Sequence, residues 1–155
     1  MKNYELNNYT THVETKVKKS SIKGAGLGMF ANQDIPKLTV IGFYPGTLKH
    51  KKDINNINYV MGTRTKHLVI EPNPRIKTGV HMINEASKGR SANVLYKKLR
   101  NNMCIYFSID DIKKGEELLT CYGAFYPRKY EIPLPSNCRD PRCRLTGNFC
   151  HRFES

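Results

Sequence analysis

The sequence predicts a single, mostly-β domain. Short apolar runs recur through the middle of the chain, each broken by Gly, Pro or Asn, which is how short strands and their turns are written. The connections between them are long and irregular, which together with many short strands suggests a mostly-β domain. A chain of 155 residues is long enough for one domain with a real core, and a second full domain is not expected.

Taken in order, residues 1–15 are polar, rich in Asn and Thr, and without periodicity; they read as an N-terminal arm. The domain proper is expected over residues 16–126. A strand at 16–22 leads into the glycines Gly24, Gly26 and Gly28. Further strands are expected at Val40-Ile41-Gly42-Phe43-Tyr44, Leu68-Val69-Ile70, Asn93-Val94-Leu95-Tyr96, Met103-Cys104-Ile105-Tyr106-Phe107 and Leu118-Leu119-Thr120. Residues 53–61 are expected to make a short helix, against the preference of their asparagines. Lys113-Lys114-Gly115 has the chemistry of a turn opening a hairpin. Residues 127–155 hold Pro127, Pro133, Pro135 and Pro141 and three of the five cysteines, and read as a separate tail. The chain has no internal repeat and no low-complexity tract.

Bulk properties narrow the class. A hydrophobic content of 39% is low for a globular chain but too high for wholesale disorder. The net charge of +13 calls for an anionic partner: nucleic acid, a membrane surface, or a protein complex that carries nucleic acid. No apolar run is long enough for a membrane-spanning helix, and the first residues hold no apolar core of a secretory signal, so synthesis into the cytosol is expected. Five cysteines without such a signal argue against a disulfide framework and for metal binding or plain burial.

Three segments carry chemistry. Lys23-Gly24-Ala25-Gly26-Leu27-Gly28-Met29-Phe30-Ala31 alternates glycines after a strand, which allows positive φ and close backbone approach to a ligand. A dinucleotide loop would need a helix next, but Asn32-Gln33-Asp34-Ile35-Pro36 ends one at once. A glycine-rich hairpin without a ligand remains the plain alternative. His81-Met82-Ile83-Asn84-Glu85 places an amide, able to donate and accept, after an apolar run; a turn asparagine bonding its own backbone is the alternative. Gly115-Glu116-Glu117-Leu118-Leu119-Thr120-Cys121-Tyr122-Gly123 runs from a turn through a strand to a tyrosine hydroxyl. Here Glu116 and Glu117 read as turn and strand-entry residues.

Together these segments resemble the SET-domain protein lysine methyltransferases, over residues 16–126. Lys23 to Ala31 matches the family's first glycine motif, and Tyr44-Pro45-Gly46 its Tyr-x-Gly element. Met82-Ile83-Asn84-Glu85-Ala86-Ser87 is similar to its Asn-His-Ser segment, with Asn93 as the later asparagine. Residues 115–123 are similar to its final Gly-Glu-Glu-Leu…Tyr-Gly element. The resemblance implies a SET domain of several small sheets with a C-terminal pseudoknot, transferring methyl from S-adenosylmethionine to a lysine side chain. It implies Tyr122 as the catalytic hydroxyl, with Tyr44, and with Tyr44 and Tyr59 as aromatic walls suited to a lysine stem. It implies cofactor contacts from Lys23, Gly24, Ala25, Gly26, Leu27 and Gly28, from Asn84 with the backbone of Glu85, and from Tyr59 and Tyr122. The implied partner is a histone tail or another lysine-bearing protein, with action in the nucleus or on chromatin. The short chain, without a reader domain, resembles the minimal standalone type of viruses and intracellular bacteria, for which the place would be a host nucleus. A catalytically inactive SET-like chromatin-binding module, and a methyltransferase for a non-histone protein, are the alternatives.

The sequence departs from the family pattern at Glu85 (commonly His), Ser87 (commonly a zinc-binding Cys) and Cys121 (commonly Asp). Cys138, Cys143, Cys150 and His151 resemble a degraded post-SET cluster and are the candidate zinc ligands, in a Cys3His set. Free thiols are the alternative. The densest basic clusters, Lys49-His50-Lys51-Lys52 and Lys97-Lys98-Leu99-Arg100, are candidates to meet nucleosomal DNA; solvated basic faces are the alternative.

Overall fold

The computed structural model describes residues 13–54, 59–86 and 90–121. Among the described residues ten short strands form four sheets, and the other regular elements are single 3-10 turns. The mostly-β expectation therefore holds.

β1 (Thr15–Lys19) and β2 (Leu27–Ala31) form an antiparallel hairpin around the glycine loop. β1 alternates half-buried and exposed residues, so only one of its faces meets the core. β2 is buried from Gly28 to Ala31, because a second chain segment covers it. The pairing begins at Thr15, and Val13 already packs against the core, so the last residues of the expected arm join the domain.

The central sheet has the order β3–β9–β8, from Val40–Phe43, Cys104–Ser108 and Val94–Lys98. β9 is buried along its whole length, as expected of an apolar middle strand covered on both faces. The third sheet has the order β4–β6–β5, from Thr47–His50, Leu68–Glu71 and Met61–Gly62. Of the helix expected over residues 53–61, residues 55–58 lie outside the described residues, and the described ends of the span are not α-helical. Lys51–Asp53 makes one 3-10 turn, capped by the His50 side chain, and Ile54 is already extended. By Met61 the chain is in a strand.

The last sheet positions the site. β10 (Leu119–Thr120) lies parallel to β7 (Asn84–Glu85), with Leu119 opposite Asn84. On its other side the same segment is tied to β2, through Ala31 N to Glu116 O at 2.9 Å and Leu118 N to Met29 O at 2.8 Å. The chain at 116–120 is thus threaded between the N-terminal hairpin and the 84–93 region, the described part of the expected C-terminal threading. Its continuation beyond Cys121 lies outside the described residues. One core, built on Met29, Ile35, Ile83, Val94, Tyr106 and Leu118, joins all these segments.

Candidate functional site

The glycine loop is shaped by backbone conformation, not by crowding. Gly24 and Gly26 take φ of 80° and 74°, and a Cβ at either would meet nothing within 4 Å. Left-handed backbone is what selects glycine at these two positions. Ser20 N donates to Gly26 O at 2.8 Å and closes the loop. Lys23, Gly24, Gly26 and Leu27 are exposed, and Ala25 is half-buried, so the 23–27 segment presents an open face.

Gly28 is glycine for the opposite reason. It is buried, and a Cβ there would lie 2.2 Å from Glu117 Oε1 and 3.1 Å from Asn84 Nδ2. Three segments far apart in sequence therefore meet at one point. Asn84 donates from Nδ2 to the Leu27 carbonyl at 2.8 Å, which fixes the second strand of the hairpin against β7. The alternative in which Asn84 caps its own turn is not what forms.

Glu117 is the residue the sequence reading passed over. It is only 5% exposed. Its carboxylate accepts from Ser20 Oγ at 2.6 Å, from Ser21 N at 3.0 Å and from Ser21 Oγ at 2.5 Å. Burial pushes its carboxyl up, but hydrogen bonds from Ser20, Ser21 and Asn84 outweigh that and hold it below the usual carboxylate value. Arg90 Nη1 donates to Ser21 Oγ at 2.6 Å and extends the network. Glu116, by contrast, is exposed, and its carboxylate accepts from Lys113 N, as a turn residue should. No periodic signal separates the two, because every residue from Glu117 to Cys121 is buried.

Asn93 holds the threaded strand from the other direction. Its Nδ2 donates to Glu117 O at 2.9 Å and its Oδ1 accepts from Leu119 N at 2.8 Å. An amide meets both needs with one side chain.

A second cluster is aromatic. Tyr44 Oη donates to the Tyr59 carbonyl. The Tyr44 ring stacks on Tyr106 with centroids 6.3 Å apart, and His81 meets Tyr44 and Tyr59 edge-on at 6.4 and 6.0 Å. Gly46, of the Tyr-x-Gly element, is required because a Cβ there would sit 2.5 Å from the Glu71 carbonyl oxygen. His81 is buried, with Nε2 2.9 Å from the Ile76 carbonyl. A carbonyl only accepts, so Nε2 carries the proton and Nδ1 is a bare acceptor. That Nδ1 has no hydrogen-bond partner among the described residues, nor has Thr120 Oγ1. Burial lowers the His81 pKa, the Ile76 carbonyl opposes this, and the charge of Lys77 adds to the lowering. His81 and Asn84 lie three positions apart on one segment, which links the aromatic cluster to the Gly28–Glu117 junction.

Tyr122 lies outside the described residues, as do Ser87 and the candidate zinc ligands Cys138, Cys143, Cys150 and His151. Among the described residues no three potential metal ligands come together. Cys104 is a free, buried thiol pushed up to about 12 by burial, with the charge of Lys98 opposing. Cys121 is fully buried and disulfide-bonded, where the cysteine count had argued against a disulfide framework and for metal binding or plain burial. No helix among the described residues is long and apolar enough to cross a membrane.

Small sheets threaded by a C-terminal strand, with an open glycine loop above an asparagine, define the class to which the four motifs pointed. The SET domain family model matches residues 26–123, well over half of the chain, and the chain belongs to that family. No curated protein matches it in sequence. Among solved structures it is similar to Polycomb Repressive Complex 2 of Chaetomium thermophilum bound to S-adenosylmethionine, with a TM-score of 0.61 and 23% identity. That alignment covers 76% of this chain and 16% of that one. It is also similar to KRYPTONITE in complex with mCHH DNA, an H3(1-15) peptide and SAH, with a TM-score of 0.58 and 20% identity, covering 73% of this chain and 24% of that one. The chain thus spans under a quarter of the length of these two neighbours.

Proposed function

We propose that the chain is an S-adenosylmethionine-dependent protein lysine N-methyltransferase acting on a histone, in the nucleus or on chromatin. The observation that carries this is the junction of Gly28, Asn84 and Glu117 beneath the open 23–27 loop, inside a SET-family fold. Support for the substrate class comes from the H3 peptide on KRYPTONITE and from the basic character of this chain.

The residues present fit the cofactor. Gly24 and Gly26 leave open space where side chains would stand, and Asn84, bonded to the Leu27 carbonyl, lies on a strand fixed by β10. The bound cofactor supplies an activated methyl group. The protein supplies placement: residues 23–28 on one side, and Asn84 with the Glu85 backbone on the other. Glu117 fixes the junction without needing to touch the ligand. The substrate must arrive as a neutral amine, although a free lysine has a pKa near ~10.4. A desolvating channel beside a cationic group favours loss of that proton. Tyr44, Tyr59 and the neutral His81 offer such a wall, polarisable and free of positive charge. Tyr122, next after the buried Cys121, is assigned the hydroxyl that orients the amine nitrogen. Orientation of this kind is where the rate of an in-line displacement is gained.

Incubation with labelled S-adenosylmethionine and nucleosomes tests the reading. Label should appear on one histone, and Tyr122→Phe should lower it sharply while calorimetry still shows cofactor binding. No transfer to any histone or peptide, together with no cofactor binding, would overturn it in favour of a non-catalytic module.

A further inference from the structure

The two basic clusters of the sequence, 49–52 and 97–100, are about 45 residues apart along the chain, yet the fold brings them to one surface. β4 pairs with β6 so that His50 stands opposite Leu68, and Lys51 N donates to the His67 carbonyl at 2.8 Å. The His50 and His67 rings stack at 5.8 Å, 7° from parallel. This sets Lys51 and Lys52 beside Arg64 and Lys66, all four exposed. The 62–67 turn is in turn joined to the second cluster. Thr65 Oγ1 donates to Asn102 Oδ1 at 2.7 Å, and Lys98 Nζ lies where a Cβ on Gly62 would be 3.1 Å away. Arg100, two residues before Asn102, is exposed.

The acids are elsewhere. Within 49–53, 61–68 and 97–103 the single carboxylate is Asp53. Lys49 does not count toward the surface, because Glu71 holds it at 2.7 Å. Asp34 and Asp111 accept from Lys114 N and Lys37 N, each at 2.9 Å, and Glu116 from Lys113 N, so these acids gather around the 111–117 turn.

We propose that Lys51, Lys52, Arg64 and Lys66, continued by Arg100, form one surface that docks on the phosphate backbone of duplex DNA. The β4–β6 pairing holds the first two segments in register and the Thr65–Asn102 bond joins the third, so the cations are presented as an array and not as independent tails. Two guanidiniums in that array suit bidentate phosphate contact. The choice of DNA over other polyanions rests on the proposed chromatin substrate. Binding itself needs neither cofactor nor catalysis.

The test is fluorescence anisotropy of the full-length protein with a labelled duplex of about 20 base pairs, from 50 to 200 mM salt. Each phosphate neutralised contributes roughly 0.9 to the slope of log K against log salt. Replacing Lys51, Lys52, Arg64 and Lys66 together by Ala should lower that slope by roughly 3–4, and Arg64→Ala alone by about 1. Lys113→Ala with Lys114→Ala removes exposed charge beside the acidic turn and should change it little. Folding is checked by melting temperature, and Arg64→Lys with Arg100→Lys, which keeps the charge, should keep the slope. An unchanged slope in the quadruple variant would overturn the proposal. So would an equal loss per charge in the Lys113/Lys114 control, or binding of poly-glutamate or duplex RNA as tight as that of DNA. Methylation then separates this proposal from the activity it borrows: the quadruple variant should lose activity on nucleosomes but keep it on a free histone peptide. Loss on both would point to the active site, and DNA binding without methylation would leave the docking surface standing alone.

Discussion

Replacing Glu117 by Gln changes one atom and probes the whole junction. The carboxylate accepts three hydrogen bonds from Ser20 and Ser21 and is buried. Gln keeps the shape but turns one oxygen into a donor, so at least one of Ser20 Oγ, Ser21 N and Ser21 Oγ meets a donor instead of an acceptor. A hydrogen bond to a charged group contributes about 1.5–3 kcal/mol, and the serine hydroxyls can rotate to recover part of this. The expected loss is therefore about 1–3 kcal/mol, read as a fall of roughly 3–10 °C in melting temperature at this chain length. The pH dependence carries a sign. The carboxyl of Glu117 is held below its usual value in the folded state. Its contribution is thus fully present above the unfolded value, near ~4.3, and is lost as pH falls through the lower folded value. The gap between wild type and Glu117→Gln should narrow as pH drops below about 4. A gap that is absent at neutral pH, or that widens in acid, would refute the network. Gly28→Ala supplies an independent check. Its Cβ would lie 2.2 Å from Glu117 Oε1, an overpacking expected to cost about 1–3 kcal/mol. In a Glu117→Ala background that clash is removed, so the two changes together should cost less than their sum. Simple additivity would mean the two residues do not meet as described.

Gly24→Ala and Gly26→Ala meet no neighbour but force left-handed backbone at φ near 80° and 74°; each should cost about 1–2 kcal/mol and weaken cofactor binding by calorimetry. Asn93→Ala removes both bonds to the threaded strand and should destabilise by about 1–3 kcal/mol in urea. His81, its pKa lowered by burial, is neutral when folded; that stability is present above the unfolded value near ~6.5 and lost as pH falls below it, so His81→Phe should flatten the fall in melting temperature between about pH 7 and 5. Cys104, pushed up to about 12, should resist a thiol reagent at pH 8 until the protein unfolds.

The strands were legible wherever one run supplied its own pattern. Met103 to Phe107 became β9 with a shift of one residue, because a buried central strand is simply apolar. β5 and β7, two residues each, left no periodicity to read; they exist because neighbours pair with them. The glycine motif was legible as a motif, yet its glycines serve different ends: Gly24 and Gly26 for φ, Gly28 for the space Glu117 fills. Sequence offers no sign of that difference, since the partner is 89 positions away. The two basic clusters were visible, but their union was not, nor the diversion of Lys49 to Glu71.

That separation has a consequence for how the site comes into being. The bonds that set the first glycine loop run from Ser20 and Ser21 to Glu117, across 97 and 96 positions. The hairpin β1–β2 is local and can pair early, but two strands alone are marginal in water. Its open loop is fixed only when the 116–120 strand enters between β2 and β7. Closing so long a loop costs chain entropy before the contacts repay it. The 20–26 loop should therefore be among the last parts to gain full protection in hydrogen exchange during refolding, with Ser21, whose N–H donates to Glu117, protected together with Leu118 and not with β1. If the loop were protected before residues 116–120, the hairpin would hold itself, and Glu117 would be a passenger in a cradle already built.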